Sequence, residues 1–142
     1  MSAPILAPAA VLVLWSMIVL FWMAFTRFPA LKKAGIDLSK GRGARYEQVE
    51  GSLPDRVNWV SHNYTHLMEQ PTLFYAVVAI LALAGDTSAL NLGLAWAYCG
   101  LRVAHSLWQG LVNQVPVRFL IFLLSSLCLL VLAVNAVRLT VF

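Results

Sequence analysis

The side chains of this sequence that can do chemistry are concentrated in two short stretches. The first, Val57 to Tyr75, reads VNWVSHNYTHLMEQPTLFY. On a helix, His62, His66 and Glu69 fall at i, i+4 and i+7 and share one face, with Asn63 and Gln70 about 90° to its side. The second stretch holds Tyr98, Arg102, His105 and Gln109, which also recur at helical spacing and share a face. A carboxylate, a guanidinium and several imidazoles in this pattern can line a site for a polar ligand. The same groups admit two other readings. Glu69 with Arg102 or His105 can be a fixed ion pair that holds two helices together. The spacing His62-x3-His66-x2-Glu69, with His105 as a fourth group, also resembles metal-ligand spacing, although no second acidic cluster accompanies it. Two further patterns carry no chemistry. Gly41-Arg42-Gly43 lacks the Gly-Lys-Ser/Thr of a phosphate loop and no strand precedes it, and the sequon Asn63-Tyr64-Thr65 falls against the membrane on the predicted cytoplasmic side.

The elements that must position these groups are set by composition. The chain has 142 residues, of which 61% are hydrophobic and 11% charged, far more apolar than a water-soluble domain. Four apolar tracts run roughly from Pro4 to Phe25, Tyr64 to Ala84, Ala89 to Leu111 and Val117 to Val137. Each approaches the ~20 residues that a ~30 Å hydrocarbon layer requires. Backbone polar groups inside lipid must be bonded within their own segment, so the tracts should be helices. The expected fold is an all-α, integral membrane four-helix bundle in one domain over residues 1–142. Its helices should cover about 4–26, 58–84, 88–111 and 116–139, with a cytoplasmic loop at about 27–57. The first tract has no basic segment before it and exceeds the apolar core of a secretory signal, so it reads as a retained span. Cys99 and Cys128 lie inside apolar tracts and read as packing residues rather than disulfide partners or metal ligands.

The net charge of +4 follows topology and implies no nucleic-acid partner. Arg27, Lys32, Lys33, Lys40, Arg42, Arg45 and Arg56 lie between the first two spans, and Arg118 lies at the connection of the last two. By the positive-inside rule both connections are cytoplasmic and the amino terminus is outside, with only Arg138 on the opposite side. The long basic loop is expected to rest on anionic membrane lipids. Gly85-Asp86-Thr87-Ser88 makes a tight turn in which Gly85 suits a helix end and Asp86 or Ser88 a helix start. Pro116 suits the first turn of the last helix.

Depth sharpens the reading of the polar stripes. A carboxylate within a span costs ~2.5–3.5 kcal/mol on insertion scales, so Glu69 should face the bundle interior or a wet cavity with a partner. Arg102 or His105 should stand at similar depth, within reach of an ion pair. Pro71 frees the carbonyl of Leu67. The third span carries a second stripe, Gly93, Ala97, Gly100 and Ala104, whose small residues let another helix approach closely. A helix packed on two faces implies an oligomer with the polar stripe at or near a subunit boundary.

At these residues the chain resembles the MAPEG family, the membrane-associated proteins of eicosanoid and glutathione metabolism, and most of all its bacterial branch. The resemblance rests on Asn63-Tyr64, then Leu67-Met68-Glu69-Gln70-Pro71-Thr72-Leu73-Phe74-Tyr75. It continues through Ala95-Trp96-Ala97-Tyr98, Leu101-Arg102-Val103-Ala104-His105-Ser106-Leu107 and Asn113-x-Val115-x-x-Arg118-Phe119, spanning roughly residues 55–125. It implies four-helix protomers assembled as homotrimers in a bacterial inner membrane, with a site between subunits that opens toward the cytoplasm. It further implies a glutathione-dependent transferase or peroxidase, with glutathione as substrate and a lipophilic small molecule or lipid hydroperoxide as electrophile. Carried onto this chain, Glu69 would bind the glutathione amino group, Asn63 or His66 its backbone, and Arg118 or Arg102 its sulfur or a carboxylate. Where glutathione-using relatives commonly show Arg-x-x-x-Asn-x-x-Glu, this chain has His62 and His66 before Glu69, and Val112 stands where a tyrosine is expected. Both a catalytic role and a non-catalytic membrane or lipid-binding subunit of a larger complex therefore stay open, beside the intramembrane metal or haem site.

Overall fold

The computed structural model describes residues 3–37, 39 and 49–142. The basic residues Lys40, Arg42 and Arg45, together with Gly41, Gly43 and Glu47, lie outside the described residues. Among the described residues, the long helical segments in chain order are α1 (Leu6–Lys33), α2 (Asp55–Met68), α3 (Gln70–Leu83), α4 (Ala89–Leu111) and α5 (Val115–Val141). No strand occurs among the described residues. Since α2 and α3 are separated by Glu69 alone, they form one rod, and the bundle has four rods.

Three rods, Leu6–Lys33, Asp55–Leu83 and Val115–Val141, are long and apolar enough to cross a membrane. The fourth, α4, has 23 residues, or about 34 Å of helix. Its composition is diluted by the polar residues that it buries: Asn91, Arg102, His105, Ser106 and Gln109 all face inward. The apolar residues outside are as telling as those inside. Phe21, Phe25 and Phe28 on α1 and Phe119, Leu120 and Leu123 on α5 are exposed. A continuous apolar surface of this kind belongs in lipid rather than water.

The rods alternate in direction. Asn91 of α4 meets Asn135 of α5 at one end of the bundle, and the His105 ring lies 6.3 Å from that of Phe122 toward the other. Arg27 of α1 donates to Ser61 of α2 at 2.7 Å, and Trp15 of α1 donates to Ser106 of α4 at 3.0 Å. The core between the rods is built from Leu12, Val19, Leu67, Phe74, Tyr98 and Leu132, with Phe74 stacked on Tyr98 at 4.3 Å. Cys99 and Cys128 are free thiols in this packing.

Helix ends follow the local sequence. Gly85 takes φ +74°, and the N–H groups of Gly85 and Asp86 close on the carbonyls of Ala82 and Leu81 at 3.2 and 3.0 Å, a left-handed stop that a Cβ would strain. Ser88 caps α4 by accepting from the Asn91 N–H. Asn113 provides the left-handed residue after α4, and Pro116 sits in the first turn of α5. Helix α1 runs past the expected end near residue 26 to Lys33, and α5 runs past 139 to Val141. The first extension is held by the Arg27–Ser61 bond.

Candidate functional site

The break at Glu69 organises the site. Pro71 has no N–H to give the preceding turn, and Glu69 leaves helical geometry at φ −86°, ψ −98°. Thr72 satisfies the Glu69 carbonyl through its N–H at 3.2 Å and its hydroxyl at 2.6 Å. One turn earlier, the carbonyl of His66 accepts a bond from the Arg102 guanidinium at 2.9 Å. The sequence placed the freed acceptor at Leu67, and the structure uses its neighbour. Arg102 is wholly buried, with its guanidinium carbon 5.8 Å above the centre of the Phe122 ring.

Beside this junction lies a cavity of about 160 Å³ lined by His66, His105, Val115, Arg118, Phe119 and Phe122. The two imidazole rings stand 5.6 Å apart and edge-on to each other. Arg118 is aimed by a 2.6 Å bond to the Asn113 side chain, the same residue that ends α4. Glu69 stands at the rim, its carboxylate 3.4 Å from His66 Nδ1 and its side chain 60% exposed. Larger clefts of about 460 and 490 Å³ open near the end of α1, but their walls carry no histidine and none of the polar-stripe residues.

The ten residues singled out from the sequence therefore separate. His66, His105 and Arg118 share the cavity, Arg102 lies behind its Phe122 wall, and Glu69 reaches it through His66. His62 turns away and meets Glu50 at 2.6 Å. Asn63 is buried on another side of α2, near Gly110 of α4 and Trp22 of α1. Gln70 bridges Ser126 and Tyr98 at 2.8 and 3.3 Å, away from the cavity, and Gln109 is buried in α4. The expected ion pair of Glu69 with Arg102 or His105 does not form among the described residues. Glu69 projects outward at the helix break, while Arg102 is drawn to the backbone carbonyl that the same break exposes. With His62 on Glu50, no three His, Cys, Asp or Glu side chains converge with metal-binding geometry among the described residues.

Several buried polar atoms have no partner among the described residues: Arg102 Nε and Nη1, both side-chain atoms of Asn63, and Gln109 Oε1. An unmade bond of this kind costs about 1–3 kcal/mol, so water or another group from outside the described residues is expected to meet them. The sequence reading missed Val115, Phe119 and Phe122 as cavity walls and Ser126 as the partner of Gln70. A signal was available for one of them, since Phe122 follows Arg118 at i+4 and shares its face.

The MAPEG family model matches residues 5–138, nearly the whole chain. No curated protein and no solved structure gives a match. With the four-rod architecture and three rods fit to cross a membrane, the match makes this a multi-pass membrane protein of the glutathione and eicosanoid metabolism group. The chain belongs to the MAPEG family.

Proposed function

We propose that the protein is a homotrimeric, glutathione-dependent transferase or peroxidase that acts on lipophilic electrophiles at a site between subunits. One observation carries this reading: a guanidinium, two imidazoles and two phenylalanine rings share one cavity, with a carboxylate at its rim. Glutathione offers a thiol, two carboxylates, an amino group and two peptide bonds, and the thiol, the amino group and the peptide bonds find complements here. Glu69 takes the ammonium, His66 and His105 hold peptide groups, and Arg118 faces the sulfur. Phe119 and Phe122 form an apolar wall along which an electrophile reaches the thiol from the bilayer. Arg102 acts as a positioning residue that fixes the His66 backbone. In conjugation the thiolate forms a sulfur–carbon bond and the leaving group departs with its electron pair. A proton is released when the thiol ionises.

The size of the cavity supports the assembly. About 160 Å³ is roughly half of the ~300 Å³ at which drug-sized sites begin, so a tripeptide needs a second wall. A neighbouring protomer supplies that wall in this reading. It would also cover the small-residue face of α4, where a Cβ added at Gly93 or Gly100 would meet nothing within 4 Å. We place the protein in a bacterial inner membrane, amino terminus outside, with the site open to the cytoplasm.

The test is conjugation of glutathione to a chlorodinitrobenzene by purified protein in detergent, together with its thermal shift at millimolar glutathione. Activity lost in Arg118→Gln supports the reading. Absence of both turnover and thermal shift in the wild type overturns it. One observation favours a non-catalytic subunit instead: Asn63 is buried and His62 is held by Glu50, so neither is presented to a ligand. Under that reading, gentle extraction recovers a stable heteromeric partner and glutathione gives no shift.

A further inference from the structure

The end of the bundle opposite the His66 cavity carries a second constellation that the proposed chemistry does not use. A cleft of about 360 Å³ lies between the start of α4 and the last turns of α5, and its walls include Asp86, Asn91, Asn135 and Arg138. These groups are linked in a fixed order. Asn135 donates to Asn91 at 2.7 Å, and Asn91, almost wholly buried, donates to one oxygen of Asp86 at 3.0 Å. The other Asp86 oxygen accepts the Ser88 N–H at 3.3 Å. A polar relay with each link satisfied thus pins a carboxylate on the cleft wall, and a carboxylate keeps acceptor capacity beyond two bonds. Arg138 lines the same cleft without an ion pair to Asp86 among the described residues. Exposed Leu90 and Leu139 flank the two charges.

We propose that this cleft binds the headgroup of a zwitterionic phospholipid with a primary ammonium, phosphatidylethanolamine in chemical class. Asp86 takes the ammonium, Arg138 the phosphate, and the leucines the upper part of the acyl chains. The position fits the ligand, because Arg138 stands in the last turn of a membrane-spanning helix and Asp86 in the adjoining turn between helices, at the level of lipid headgroups. It also gives a reason for the one arginine that breaks the charge asymmetry of the loops. A purely anionic lipid would leave Asp86 facing negative charge, and a choline headgroup cannot donate an N–H to it.

The test is native mass spectrometry of the full-length protein, loaded in detergent with phosphatidylethanolamine, phosphatidylglycerol or phosphatidylcholine at equal concentration. Phosphatidylethanolamine should be retained about tenfold better than either, as expected for one additional charged hydrogen bond. Asp86→Asn should abolish the preference, whereas Arg138→Gln should lower retention of all three lipids. Arg138 is exposed on the last turn of α5, so Arg138→Gln serves as the variant that keeps wild-type thermal stability should Asp86→Asn unfold. Equal retention of the three lipids overturns the proposal, as does preference for phosphatidylglycerol. Competition by soluble phosphoethanolamine at the affinity of the lipid would assign the cleft to a soluble zwitterion and overturn the lipid assignment.

Discussion

Replacing Arg118 by Gln removes the one guanidinium that lines the His66 cavity among the described residues, and its effect is calculable. A thiol with an ordinary pKa near ~8.5 is only about 1% ionised at pH 6.5. A guanidinium ~4 Å from the sulfur, at an effective dielectric of ~20, favours the thiolate by ~4 kcal/mol. The partial solvent exposure of Arg118 and its bond to Asn113 reduce this, and a net ~2.7 kcal/mol corresponds to a pKa lowered by about two units. Because the guanidinium favours the charged form, its loss raises the thiol pKa, so the variant should lose rate at low pH and recover it as pH rises. At pH 6.5 the thiolate fraction falls from about one half to about one hundredth, a ~50-fold loss, while near pH 9 the two proteins converge. The assay is the initial rate of conjugation from pH 6 to 9.5 at saturating glutathione. Asn113→Ala, which frees Arg118 without removing its charge, should move the midpoint by less than Arg118→Gln does. A profile that drops equally at every pH would refute thiolate stabilisation by Arg118 and leave it a role in binding or folding.

The packing makes further predictions. Gly110→Ala would put a Cβ 2.5 Å from Trp22 Cη2, so the variant should lose about 1–3 kcal/mol, read as a lower midpoint of thermal unfolding in detergent. Asn135→Ala strips the donor from a buried Asn91 oxygen and should cost about 1–2 kcal/mol in the same measurement, whereas Asn135→Gln should cost less. Cys99, 2% exposed, should resist a maleimide in the folded protein at times when the half-buried Cys128 is labelled, and mass spectrometry of the intact chain distinguishes the two. His62→Ala should leave thermal stabilisation by glutathione near the wild-type value, while His105→Ala should lower it, because His105 lines the cavity and His62 does not.

The sequence was most informative where a single periodicity or residue type decides the outcome. Four apolar tracts yielded four rods, and Gly85, Ser88 and Pro116 marked the helix boundaries because each has a conformational role that few residues share. The helical period also grouped Arg102 with His105 and set the small residues of α4 on another face. It did not identify the partner of each side chain. His62 and Asn63 are adjacent in sequence and about 100° apart on α2, and which of them turns inward depends on Trp22 and Gly110 from two other rods. Glu50, which holds His62, comes from the chain before α2, outside the polar stripes that the helical period groups. The Glu69–Arg102 pair was expected from depth alone. Depth was insufficient, because the helix break that exposes Glu69 also releases a carbonyl, and the buried guanidinium bonds to that instead.

The break at Glu69 thus has two consequences. It supplies Arg102 with an acceptor inside the protomer, and it turns a carboxylate outward on a rod that is otherwise fit to cross a membrane. An outward carboxylate facing lipid is disfavoured by ~2.5–3.5 kcal/mol, and His66 at 3.4 Å offsets only part of this. In the proposed assembly, a second protomer that brings a polar surface to Glu69 would remove the penalty and close the open side of the His66 cavity. The ligand site and the assembly are then one requirement: a variant that keeps the protomers apart should lose glutathione binding, even with each of the cavity's own side chains in place.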